Sequence, residues 1–201
     1  GRRPGRCGTI ATNDEPPTPP PTWVTPEYDR NGNMNRMPRP KDPDEGYLGE
    51  YDAWNRLMVL KTDEETPQLV GEYQYDGLNR RTIKERYDEN GDLEETRHFL
   101  YSVRWQILEE RVGADLAEAD VACEYVWGLR YVDDCVVRDR TAEESLDERL
   151  YAIQDANWNV TSIVGVSADV WMRIAYMPYG ETMDLNTTFS SYSGDALFWN
   201  R

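Results

Sequence analysis

Carboxylates are the most regular chemistry-bearing groups in this 201-residue chain. Asp29, Asp52, Asp76 and Asp88 each follow a tyrosine. A ladder of such groups is a candidate cation binder, and the segment Asp88-Glu89-Asn90-Gly91-Asp92 has the look of a calcium loop. It lacks the later bidentate Glu at the required spacing. The plainer role is local: an Asp before a turn accepts hydrogen bonds from turn amides that would otherwise go unpaired. Glu109-Glu110 and Asp133-Asp134 have the residue types of a glycosidase pair, but a chain this acidic produces such doublets by composition alone. His98 is the single histidine, with no Ser or Cys beside it to form a relay. Its place on the polar parity of a strand predicts a solvated side chain. Cys7, Cys123 and Cys135 give neither a disulfide framework nor a metal spacing. Cys123 and Cys135 read as small unpaired core residues, with a cross-hairpin pair as the alternative. No phosphate-binding glycine loop, HExxH or CxxC pair occurs, so no cofactor or metal is expected.

The elements that position these groups repeat. Tyr75-Asp76-Gly77-Leu78-Asn79-Arg80-Arg81-Thr82 reads as a strand end, a tight turn and the next strand. Asp76-Gly77 is a turn dipeptide in which Gly accepts positive φ. Tyr28-Asp29, Tyr51-Asp52 and Tyr87-Asp88 open similar segments, and Asn31-Gly32 fits a type I′ turn. Tyr28, Tyr51, Tyr75, Tyr101, Tyr125, Tyr151 and Tyr176 recur every 23 to 26 residues. A unit of that length predicts a stacked array. One Tyr per unit predicts an aromatic ladder between neighbours; exposed rings would instead suit stacking on sugars.

Tandem Tyr-Asp-x-x-x-Arg units resemble the YD repeats of the RHS (rearrangement hotspot) family. The segment from Tyr151 through Asp155, Asn159-Val160, Val170 and Tyr176 to Pro178-Tyr179-Gly180 resembles the start of that family's repeat-associated core. The resemblance spans 28–181. It implies a β-sheet shell that encloses a C-terminal toxin or effector, in a bacterial protein that is secreted or at the cell surface. The implied partners are the remainder of a larger RHS chain or its payload. Met177 stands where the family usually has Asp, and no catalytic residue is carried over. The expected function is therefore a non-catalytic encapsulating module. A carbohydrate-binding module using exposed Tyr and Trp is the alternative, and a carboxylate-pair glycosidase ranks last.

The bulk numbers agree with a β-rich chain. Aromatics reach 11%, with 13 Tyr and 7 Trp against 3 Phe. The net charge of −16 repels nucleic-acid phosphates and anionic membrane surfaces, so neither partner is expected. No signal-peptide pattern and no apolar run of spanning length occur. Residues 1–27, with Pro16-Pro17 and Pro19-Pro20-Pro21, read as a disordered Pro-rich tail or linker. The array is expected over 28–181, with 182–201 as a tail or edge cover. Prolines between 35 and 43 predict weak pairing there. Residues 97–112 alternate as one long strand or two strands bent near Ser102. Residues 130–138 read as the return strand of a hairpin, and 141–149 as a short helix or loop. The expected fold is all-β: tandem strand-turn-strand units in one sheet that coils on itself.

Overall fold

The structure is a computed structural model that describes residues 23–40, 42–141, 146–177 and 182–191. It is all-β, with 14 strands in a single antiparallel sheet whose spatial order follows the chain. The strands are β1 (Glu27–Tyr28), β2 (Met34–Pro38), β3 (Gly46–Tyr51), β4 (Leu57–Thr62), β5 (Leu69–Tyr75), β6 (Arg81–Tyr87) and β7 (Leu93–Tyr101). They continue as β8 (Ile107–Val112), β9 (Asp120–Trp127), β10 (Cys135–Thr141), β11 (Leu146–Gln154), β12 (Val160–Gly165), β13 (Val170–Tyr176) and β14 (Thr182–Leu185). Each strand pairs antiparallel with the next, as expected for short strands separated by turn residues. Among the described residues β1 does not pair with β14, so the sheet is open and does not close on itself.

Several local expectations change. Residues 97–112 belong to two strands, β7 and β8, joined by a turn over 102–106. Residues 130–134 are loop, so the return strand β10 starts only at Cys135. Leu146 to Arg149 belong to β11 rather than to a helix. The prolines do not prevent pairing of β2, because Pro38 is its last residue and sits opposite Gly46. Gly77 does not supply the positive φ of its turn; Asn79 does, at 64°.

Alternation sets the two faces, and direct cross-strand partners share one. Phe99 lies opposite Glu110, which lies opposite Cys123. Arg138 lies opposite both Tyr125 and Leu150. Ile163 lies opposite Ala152 and Met172. This face therefore runs from charged and aromatic groups on β7–β10 to an apolar cluster on β11–β13. The cluster comprises Leu150, Val160, Ile163, Met172 and Ile174, with Ala152 packed against it. A single layer has no second sheet to cover it, which is why its buried residues include Arg97, Glu110, Asp134 and Arg138. Cys123 and Cys135 are both buried and free, as expected. They do not face each other: Cys135 pairs with Trp127, and Cys123 with Arg140.

His98 is buried, against expectation, and its Nε2 lies 3.0 Å from the Gly113 carbonyl. Polar parity marks a solvated face only if nothing covers that face. Here the 113–119 loop brings a carbonyl acceptor onto it.

Leu150 is fully buried while Leu129 is 89% exposed. Leu150→Ala is expected to cost about 2–5 kcal/mol in urea unfolding, and Leu129→Ala less than about 0.5 kcal/mol. Equal effects would place the core elsewhere.

Candidate functional site

Apart from Tyr87-Asp88 on the opposite rim, the repeated Tyr and Asp meet at the turns of one rim. In the turn over 52–56, the Asp52 carboxylate Oδ1 accepts from the amides of Trp54 (2.8 Å) and Arg56 (3.0 Å). The Asn55 amide donates to the Asp52 carbonyl, and the Asp52 amide to the Arg56 carbonyl. Asn55 has φ 61°, a left-handed conformation that Asn tolerates. The pairing register shifts just before the turn, between Glu50 and Tyr51. This is a type I turn closed by a bulge rather than a type I′ turn.

The same geometry recurs with Asp29, Asp76, Asp88, Ser102, Asp155 and Asn186 as the capping residue. The left-handed position is filled by Gly32, Asn79, Gly91, Trp105, Trp158 and Phe189 in turn. Sequence reading found Asp29, Asp52, Asp76 and Asp88 in this role, and named Asp155 only through the family resemblance. It missed Ser102 and Asn186, whose signal is a short acceptor side chain four residues before the first residue of the returning strand's turn bond. The carboxylates are spent on this work. Asp88 accepts from Asn90 and Asp92 of its own loop, not from any calcium-like set. Among the described residues, no group of three or more His, Cys, Asp or Glu could hold a metal ion.

The tyrosine at the strand end ties one unit to the unit before it. Tyr51 Oη donates to the Met34 carbonyl, Tyr75 to Leu57, Tyr101 to Arg81 and Tyr176 to Val160, each at 2.9 Å. Each acceptor is the first residue of the strand that follows the preceding turn. Burial pushes the Tyr51, Tyr75, Tyr101 and Tyr176 hydroxyls up from their ordinary value. Between β8 and β9, Trp127 takes this role, with Nε1 donating to the Ile107 carbonyl at 2.6 Å. Tyr125 and Tyr151 keep the spacing but not the position, for both lie inside their strands. Tyr28 ends β1 and is exposed. Tyr87 ends β6 on the opposite rim and donates instead to Glu72 at 2.5 Å. Pro178, Tyr179 and Gly180 lie outside the described residues.

Arginine at the fifth turn position ties the unit forward. Arg56 Nε donates to Asp52 Oδ2 at 2.6 Å, and its Nη1 to the Asp76 carbonyl of the next turn at 3.1 Å. Arg80 repeats this with Asp76 at 2.6 Å and the Ser102 carbonyl at 3.0 Å. Both guanidiniums stack 5.1 Å from the ring of the next strand-end tyrosine, Tyr75 or Tyr101, a contact worth about 0.5–1 kcal/mol. The ladder is thus one of arginine on tyrosine, not ring on ring; among the described residues the stacked aromatic pairs are Tyr125–Trp127 and Tyr131–Trp158.

The acidic doublets do not converge. Glu109 and Glu110 alternate onto opposite faces. Glu110 is buried between Arg97 Nη1 at 2.5 Å and the Tyr125 hydroxyl at 2.6 Å. Asp134 is buried and held by Arg130 through Nε at 3.0 Å and Nη2 at 2.9 Å. Compared with known proteins, the chain matches no family model and no curated protein.

Tyr75→Phe removes one hydroxyl and leaves the Leu57 carbonyl without its donor. It is expected to lower stability by about 1 kcal/mol in urea unfolding, while Tyr28→Phe changes nothing. The turn carboxyls give a pH dependence. Amides of Arg80 and Asp92 hold Asp76 and Asp88 below the ordinary carboxylate value, and side-chain donors from Asn33 and Asn159 do the same for Asp29 and Asp155. The unfolded chain therefore takes up protons first as pH falls. The stabilisation is complete above the ordinary carboxylate range and is lost as pH drops through the lower folded values. Melting temperature should accordingly fall below about pH 4, and replacing Asp76 and Asp88 by Asn should flatten that fall.

Proposed function

We propose that this chain is a non-catalytic wall segment of the RHS or YD-repeat kind, part of a β-sheet shell around a C-terminal toxin or effector. One observation carries the reading. The side chains that recur from unit to unit are consumed in joining units: Asp caps its own turn, Tyr reaches the unit before and Arg the unit after. A catalytic or ligand-binding repeat would leave such groups turned toward a substrate. In this reading the partner is the remainder of a longer chain or its payload, and the site of action is outside the producing cell or at its surface.

A second reading is carbohydrate binding. The observation that favours it is the exposure of the Trp54 and Trp105 rings at the turn tips, 71% and 54%.

Limited proteolysis of the full natural polypeptide separates them. The wall reading expects a C-terminal segment that resists protease until the β-rich part unfolds. Cleavage of that segment at the rate of a free peptide would sink it. A glycan array probed with the native chain and with Trp54→Ala and Trp105→Ala variants tests the second reading; signal lost in both variants would favour sugar binding over a wall.

A further inference from the structure

Charge is sorted between the two faces of the sheet over β3–β8. On one face Glu50, Val59, Glu72 and Glu85 stand in a cross-strand row, with Lys61 paired to Glu50. The other face, which bears Phe99, carries Tyr73, Lys84 and Arg97 in one row and Gly71, Arg86 and Glu95 in the next. Arg81 belongs to this face too, for its guanidinium lies 5.5 Å from the Tyr73 ring centre and 5.4 Å from that of Phe99. Across β3–β8 the strand residues of this face therefore hold four cations, Arg81, Lys84, Arg86 and Arg97, against two carboxylates, Glu95 and Glu110.

Both carboxylates are already taken. Arg97 is held by Glu95 through Nε and Nη2, each at 3.0 Å, and by Glu110 through Nη1 at 2.5 Å. Arg86 reaches Glu94 at 3.1 Å, yet its Nε is buried without a partner. No carboxylate of the described residues forms an ion pair with Arg81 or Lys84. Arg81 is exposed and Lys84 half-buried. Burial, and next the Arg81 guanidinium, pull the Lys84 ammonium below its ordinary value; Arg97 and Arg86 act the same way and Glu95 opposes them. Clustered cations repel one another, and in a chain with 38 acidic residues two of these lack a counter-charge. An anion from outside the chain would supply it.

We propose that the face of β6 bearing Arg81, Lys84 and Arg86 binds a short acidic segment of another polypeptide, in extended form. Residues two apart on a strand share a face and stand about 7 Å apart, which is the spacing of Lys84 and Arg86. The alternate carboxylates of an extended acidic segment repeat at the same distance, so each cation meets one. A lone phosphate would instead need its donors gathered at one point. The net charge of −16 repels a long polyanion as a whole. A short segment feels mainly the cations beside it, within a Debye length of about 10 Å at 0.1 M salt. On β3–β5 this face presents Tyr47, Gly49, Leu60, Gly71 and Tyr73, which put no carboxylate in the segment's way. This binding is independent of the wall reading.

Fluorescence anisotropy of a labelled short peptide of alternating Glu and Thr, titrated with the intact chain, tests this. The expected result is saturable binding at low salt that is lost at about 0.5 M NaCl. Arg81→Gln and Lys84→Met are each expected to weaken it about ten-fold, with circular dichroism unchanged, while Arg104→Gln in the turn over 102–106 leaves it alone. The native chain gives a second readout, since Lys41, Lys61 and Lys84 are its only lysines. The peptide should slow acetylation of Lys84 and leave that of Lys61 unchanged. Absence of binding overturns the proposal, as does binding that neither substitution weakens, or acetylation of Lys84 that the peptide does not slow. Equal competition by inorganic phosphate, or by a single-stranded oligonucleotide of the same charge, overturns it too, because the site would then take any oxyanion.

Discussion

Everything in this sheet depends on satisfying the amides of a tight turn. In the turn over 52–56, all amides but that of Ala53 have partners, and the Asp52 carboxylate supplies two of the acceptors. With the turn closed, the strand-end tyrosine stands at a fixed height and reaches back to a carbonyl on the far side of its neighbour. The turn's fifth residue, where it is arginine, reaches forward. An open sheet of one layer cannot rely on a second layer for its register. Register is held instead by these turn-to-turn links and by the bulge that each turn imposes.

The price of a single layer shows on the face that runs across β7–β13. Its apolar half, around Leu150, Ile163 and Met172, is a small core of the usual kind. Its other half buries charge. Arg97 is held by Glu95 at 3.0 Å and Glu110 at 2.5 Å, and Tyr125 completes the Glu110 carboxylate. Arg138 lies 3.1 Å from the Cys123 sulfur and over the Tyr125 ring at 5.8 Å. Long side chains laid flat on the sheet shield one another where no second layer does. Such pairs add little net stability when formed, but are costly to break because one charge is then stranded.

The fold class and most strand positions were legible because turn chemistry is local. Asp, Gly and Asn punctuate the chain at fixed offsets from tyrosine, and the strands between them alternate. The structural role of Asp52, Asp76 and Asp88 was legible for the same reason. What the sequence hid is non-local. The partner of each tyrosine hydroxyl lies some 16 to 20 residues back, and nothing in a single unit points to it. Tyr125 and Tyr151 keep the period but lose the position, because β9 runs on to Trp127 and β11 to Gln154. His98 misled because parity names a face but not what lies over it. Trp105, Trp158 and Phe189 adopt the left-handed conformation that Asn and Gly advertise elsewhere, so those turns carried no glycine signal.

The tyrosine links between units have a direction. Each tyrosine hydroxyl seeks an acceptor that precedes it in the chain, while a turn closes with residues of its own. A polypeptide leaving the ribosome N-terminus first thus presents every new strand end with its acceptor already synthesised and paired. The earliest turns can form as they emerge, and each later unit docks on a finished edge. The tyrosine links suit a sheet laid down course by course in the order of translation, with the later of its two open edges awaiting the next strand.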